Sequence, residues 1–273
     1  MPTIKPDQLQ DGDVLLYQGN GFLSGLIRLF DGGDYSHASI YHGDHVMEAL
    51  GEGIVDNSVA DSYDGANFVD VYRFIKNGRN LGGTEYPLSP LDQSIDVFEN
   101  NKSRYAYEQI LLLAMLCSTR KLTAVAQMPG LAMIVRNILD EAADVLARLM
   151  TGPDKKEPVI CSELVYRCYQ NAGGNLAYEL AIVGADVPAP AAAEFRASIA
   201  ALSPAEAADA LDIQNRASAF LLNYYQAKQH PEPPAAAPQA LAVPVRPEAV
   251  ADFVTPRDLA SSPNLQKACT LQL

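Results

Sequence analysis

Glu157-Pro-Val-Ile-Cys-Ser-Glu-Leu-Val-Tyr-Arg-Cys-Tyr-Gln-Asn-Ala-Gly-Gly174 is the stretch on which the fold turns. Pro158 to Ile160 predicts a short extended run that becomes a helix at Cys161 and Ser162 and stops at Gly173 and Gly174. Cys161 then stands at a helix N-terminus, where unpaired backbone N–H groups and the helix dipole favour an anion and draw a thiol toward thiolate. The plain alternative is a core thiol. Cys161, Leu164, Val165, Cys168 and Ala172 fall on one apolar stripe at helical spacing, and Cys168 reads as core. A base elsewhere in the chain would tip the balance toward a nucleophile.

Composition narrows the setting. A chain of 273 residues with 48% hydrophobic content is long enough for a sizeable core. A formal charge of −13 argues against a nucleic-acid partner held by bulk charge. Cys117, Cys161, Cys168 and Cys269 show no C-x-x-C pairing or metal-ligand spacing, so neither a zinc site nor a disulfide scaffold is predicted, and no cofactor is implied. The N-terminal residues lack a basic segment followed by an apolar one. The expectation is cytoplasmic synthesis without a signal peptide, with export by a signal-less route as the other option.

Toward the N-terminus, Val14–Tyr17 predicts a buried strand and Phe22–Phe30 an amphipathic helix, with Asp31-Gly-Gly-Asp34 ending it. Ser36–Tyr41 and Asp44–Leu50 predict a hairpin turning at His42-Gly43, followed by strands at Ile54–Val59 and Val69–Ile75. The expectation is α+β, with a small antiparallel sheet. Residues 77–103 read as loop. Tyr105–Cys117 and Leu131–Met150 predict core or lid helices whose charge-free runs are too short to span a bilayer. Residues 175–230 form an Ala-rich helical appendage, and 231–251 a Pro/Ala-rich arm. Thr255-Pro-Arg-Asp258 carries a helix-start signal, and Ser262-Pro-Asn-Leu265 a tight turn.

Three of the four histidines lie within nine residues, at His37, His42 and His45. A two-residue turn at His42-Gly43 pairs Tyr41 with Asp44 and sets His37 directly opposite Glu48 on one sheet face. A carboxylate there accepts the second imidazole N–H, which fixes the tautomer and stabilises the imidazolium. The same register sends His45 to the other face. A metal set of His42, His45 and Glu48 fits poorly, since a strand's period of two separates His45 from Glu48. Nucleophile, base and orienter together follow the logic of a thiol hydrolase.

Gly12-Asp-Val-Leu-Leu16, Tyr35-Ser-His-Ala-Ser-Ile-Tyr41, Val46-Met-Glu-Ala49, Ile160-Cys-Ser-Glu-Leu-Val165 and the closing Val254–Leu265 resemble the circularly permuted branch of the NlpC/P60 superfamily, the YiiX/YebB-like papain-like cysteine hydrolases. The order His, Glu, Cys is the one permutation requires. The resemblance implies a permuted papain-like domain over 1–174 and 252–273, with a helical insertion at 104–152 and a small sheet packed on the nucleophile-bearing helix. It further implies Cys161 as nucleophile, His37 as general base and Glu48 as third member. Tyr105 or Tyr107 would help hold the oxyanion. Ser162, beside the nucleophile, is a further candidate for oxyanion or substrate binding.

The expected activity is acyl transfer through a Cys–His–Glu triad. Its leading form is an amidase or peptidase acting on cell-wall peptides or small amino-acid amides. A lipid-directed acyltransferase or phospholipase and a non-catalytic binding module are the alternatives. An enzyme of this kind delivered outside its cell would fit an exported antibacterial toxin with a neutralising partner protein.

Overall fold

Val14-Leu-Leu-Tyr17 is apolar at every position, which suits a strand covered on both faces. In the computed structural model, β2 (Val14–Gly19) is such a strand, with Val14 and Leu16 in one core and Leu15 and Tyr17 in another. The structure describes residues 2–51, 53–100, 108–119, 129–151, 157–174, 176–183, 200, 202–228 and 251–273. By chain contacts it divides into two units, one of residues 1–109, 159–185 and 250–273, the other of 110–158 and 186–249.

The first unit is built on an eight-stranded sheet, larger than the small one expected. Its strands are β1 (Thr3–Ile4), β2, β3 (His37–His42), β4 (His45–Leu50), β5 (Gly53–Asn57), β6 (Ala66–Lys76), β7 (Arg79–Asn80) and β8 (Leu265–Leu271). They run in the order β1-β8-β6-β2-β3-β4-β5, with β7 on β6. All pairings are antiparallel except β1 with β8, so the sheet is mixed at that edge. The Ser262–Leu265 turn is present (Leu265 N–H to the Ser262 carbonyl, 3.1 Å), and it leads into β8, a strand absent from the expected set. Gln266-Lys-Ala-Cys-Thr270 is too polar to stand out as a strand. Its polarity has uses, because Lys267 Nζ and Thr270 Oγ1 both donate to the buried Asp70, each at 2.6 Å.

The helix α1 (Phe22–Asp31) ends where Gly32 takes a left-handed φ of 72° and returns its N–H to the Arg28 carbonyl. After α2 (Val59–Tyr63), the segment expected to be loop contains α3 (Ser89–Asn100). Its buried positions Leu91, Ser94, Ile95 and Phe98 have helical spacing, masked in sequence by the flanking Gly, Asn and Pro. The nucleophile-candidate helix, here α6, runs Cys161–Asn171, within one residue of the expected span. α8 (Pro256–Ala260) starts as its signal predicts, with Thr255 accepting from Asp258 N–H.

Two cores result from the sheet's two faces. On one, Leu164, Val165, Cys168 and Tyr169 of α6 pack with Val14, Leu16, Ala38, Ile40, Met47 and Ala49. On the other, Tyr17, Tyr41, Val46, Val69 and Val71 cluster with Val59 and Tyr63 around α2. In the second unit, α4 (Glu108–Thr119) buries its charge-free run from Leu111 to Cys117 completely. There α5 (Pro129–Thr151) and α7 (Pro204–Ala227) pack together, with Arg136 bonded to Asp209 and Asp212. No described helix is long and apolar enough to cross a membrane.

Candidate functional site

The hairpin turn determines what His37 can meet. A two-residue turn between twisted strands needs left-handed backbone at both central positions. A histidine resists that conformation, whereas glycine adopts it freely and aspartate tolerates it. The turn therefore falls on Gly43 (φ 55°) and Asp44 (φ 67°) instead of His42-Gly43, and His42 becomes a strand residue paired with His45. The register moves by two residues from the expected one, and His37 no longer lies directly across from Glu48. A shift of two preserves faces where a shift of one would exchange them. His37 and Glu48 stay on one side and meet diagonally, His37 Nε2 to Glu48 Oε2 at 2.8 Å.

The pair is well enclosed, with side-chain exposures of 12% for His37 and 3% for Glu48. The other carboxylate oxygen, Oε1, accepts from Asn57 Nδ2 at 2.7 Å. Burial alone would push the Glu48 carboxyl up. The His37 bond and charge, with the Asn57 bond and the nearby Ser62 hydroxyl, outweigh it and hold the group below its ordinary value. Tyr17, the cross-strand partner of His37, lays its ring 5.0 Å from the imidazole and bonds Ser39 (2.7 Å) and Ser62 (2.6 Å) through its hydroxyl. Burial first, then the Glu48 charge, pushes its phenol up to about 12, so it stays neutral. Asn57, Ser62, Tyr17 and Ser39 were not foreseen. A strand pairing of Tyr17 with His37 was the one signal that could have found a member of this shell.

Cys161 is the first residue of α6 and is fully buried. Its neighbours are anchored to the C-terminal segment. Ser162 Oγ donates to the Val254 carbonyl at 2.7 Å, which gives that hydroxyl a structural bond. Glu163 accepts from Ile160 N–H and from Arg167 Nε, and Arg167 reaches on to Asp252 at 2.6 Å. These contacts fix the start of the helix against residues 252–254. α6 packs on β3 and β4, the strands of His37 and Glu48. By strand alternation, however, His37 and Glu48 share the face of Tyr17 and Ser39, the reverse of the face the helix covers. Tyr105 and Tyr107 lie outside the described residues.

His42 and His45 occupy the face opposite His37, so Glu48 does not join them. Their rings stand 6.1 Å apart, beside Asp56 of β5 and Asp92, Asp96 and Glu99 of α3. A cleft of about 520 Å³ lined by Asp11, Asp13, Arg73, Leu88 and Lys267 contains none of Cys161, His37 or Glu48.

No protein-family model and no curated protein matches the chain. Among solved structures, yiiX from Escherichia coli O157:H7, described as a metalloprotein, is similar over 96% of this chain and 97% of its own length. Its sequence identity is 15% and its TM-score 0.42, a likeness that carries no functional argument.

Proposed function

We propose that this chain is a thiol hydrolase of the permuted papain-like kind, working by acyl transfer. Cys161 is the nucleophile, His37 its general base, and Glu48 the positioning residue behind the base. The observation that carries the reading is the enclosed His37–Glu48–Asn57 chain. A carboxylate on Nε2 makes that nitrogen the proton-bearing one, which leaves Nδ1 as the nitrogen suited to take a proton from a thiol. The arrangement stabilises the imidazolium formed when the thiol ionises, and the start of α6 offers backbone N–H groups to a developing oxyanion.

In the first step the thiolate adds to a substrate carbonyl, and His37 protonates the departing amine or alkoxide as the acyl–sulfur bond forms. In the second, His37 takes a proton from water, hydroxide equivalent adds to the thioester, and the acid leaves as Cys161 is regenerated. The favoured substrate class is an amide of a peptide or amino acid. Wild type and Cys161→Ala are to be incubated with peptidoglycan fragments, amino-acid amides and phospholipids, and products read by mass spectrometry. Cysteine-dependent cleavage of amides supports the full reading. Cleavage confined to phospholipids would keep the chemistry and replace the substrate class, and equal products from both proteins on every substrate would remove the enzyme.

A further inference from the structure

The second histidine cluster has a donor set of its own. Asp92, Asp96 and Glu99 recur at helical spacing on one side of α3, and the β3–β4–β5 face opposite supplies His42, His45 and Asp56. His45 Nε2 stands 3.1 Å from Glu99 Oε1 and 3.8 Å from Asp56 Oδ1. His42 Nε2 is 3.6 Å from Asp96 Oδ1. One donor atom each from His45, Asp56 and Glu99 lie within 4.8 Å of one another, and so do those of His42, Asp96 and Glu99. Neighbouring ligands on a divalent ion with bonds of ~2.0–2.2 Å are roughly 3 Å apart, so only small adjustments separate these spacings from coordination.

Two further features distinguish this from a chance gathering of surface acids. The His45 ring places Nδ1 at 2.9 Å from the Gly43 carbonyl, an oxygen that only accepts. Nδ1 must carry the proton there, so in the neutral ring Nε2 presents a lone pair to two carboxylates. That backbone anchoring of the non-ligating nitrogen is how metal-binding imidazoles are oriented. On the other imidazole, His42 Nδ1 and Asp92 Oδ1 are buried atoms that make no hydrogen bond and face each other at 3.5 Å. Four carboxylates meet two imidazoles here, and among the described residues no lysine or arginine pairs with any of them.

We infer that His45, Asp56 and Glu99 hold one divalent transition-metal ion, with His42 and Asp96 closing its other side. Imidazole and carboxylate without thiolate suit an ion between Mn²⁺ and Zn²⁺ in character and disfavour softer metals. The site lies on the sheet face opposite His37 and Glu48. Glu99 is the shared member, so its loss has the largest effect.

The test uses the full chain stripped with chelator and desalted. Zn²⁺ affinity is measured by competition with a chromophoric chelator, and Co²⁺ binding by its visible absorption. The expected result is saturable binding that Cys161→Ala leaves intact, with Glu99→Gln and His45→Gln each weakening it on the order of 10- to 100-fold. Apo variants should melt with the wild type; if one does not, Asp56→Asn supplies the same reading. Absence of saturable binding, or affinities unmoved by these substitutions, would overturn the site and identify the gap at His45 Nε2 as one filled by a proton.

Discussion

The two faces of the β3–β4–β5 hairpins carry histidines in opposite conditions. On one, His37 is enclosed and held by a carboxylate whose remaining oxygen is itself bonded by Asn57. On the other, His42 and His45 stand beside α3 among four acids, at 3.1 to 3.8 Å. The strands alternate, and β5 shows the division in two adjacent residues, as Asp56 faces His45 while Asn57 faces Glu48. An imidazole with one well-satisfied acid is suited to moving a proton. Imidazoles surrounded by excess acid are suited to a cation. Residue type alone does not separate these roles; the number and satisfaction of partners does.

The largest effect that would break this comparison is loss of the base. His37→Ala should lower cysteine-dependent turnover on the order of 10²- to 10⁴-fold, measured as kcat/KM on the substrate that the product screen selects. The same substitution should leave Zn²⁺ affinity unchanged, and Glu99→Gln should reverse the pattern. Weakening of both functions by either substitution would mean that the two faces are one site.

Next in size is the anchor of α6. Glu163 and Asp252 are both buried and share Arg167, so Asp252→Ala removes the charge-assisted bond that ties α6 to the C-terminal segment, at a cost of about 1.5–3 kcal/mol. Asp252→Ala should lower the melting temperature strongly and weaken Cys161 chemistry through the helix start. A stable Asp252→Ala protein with full activity would show that the C-terminal segment does not position the nucleophile.

Glu48→Gln sharpens the account of the enclosed pair through pH. The folded carboxyl sits below its ordinary value, so its pairing contributes stability above the unfolded pKa, and that contribution disappears as pH falls through the folded one. Wild type should therefore lose stability toward acid more steeply than Glu48→Gln, compared by denaturant midpoints across that range. Parallel acid profiles would contradict a charged Glu48. The smallest effect concerns the turn. Gly43→Ala forces a side chain into left-handed backbone and should cost about 1–2 kcal/mol, read as a shift in denaturant midpoint with the slope unchanged.

Much of this arrangement was legible in the chain. Apolar patterning marked β2, α1 and α6, and the Thr255-Pro-Arg-Asp258 signal marked α8, because local physics decides each of them. The His37–Glu48 contact survived a wrong turn assignment because the error was even, and only an odd shift changes faces. What stayed hidden depends on tertiary partners. Lys267 and Thr270 make β8 look polar until Asp70 is placed beneath them. Asn57 looks like a strand end until Glu48 stands beside it, and the acids of α3 look like solvated charge until His42 and His45 face them.

The central claim is that His37, set by Glu48, activates Cys161, and native-state alkylation tests it most directly. All four thiols are buried, and burial pushes those of Cys117 and Cys269 up, so both should be slow. Iodoacetamide labelling of the folded protein, resolved by peptide mass spectrometry across pH, should find Cys161 fastest. Its titration should lie below that of an ordinary thiol, and His37→Ala should remove the advantage. Labelling of Cys161 no faster than Cys168, with a profile that His37→Ala leaves in place, would make Cys161 the core thiol that its apolar stripe also allows.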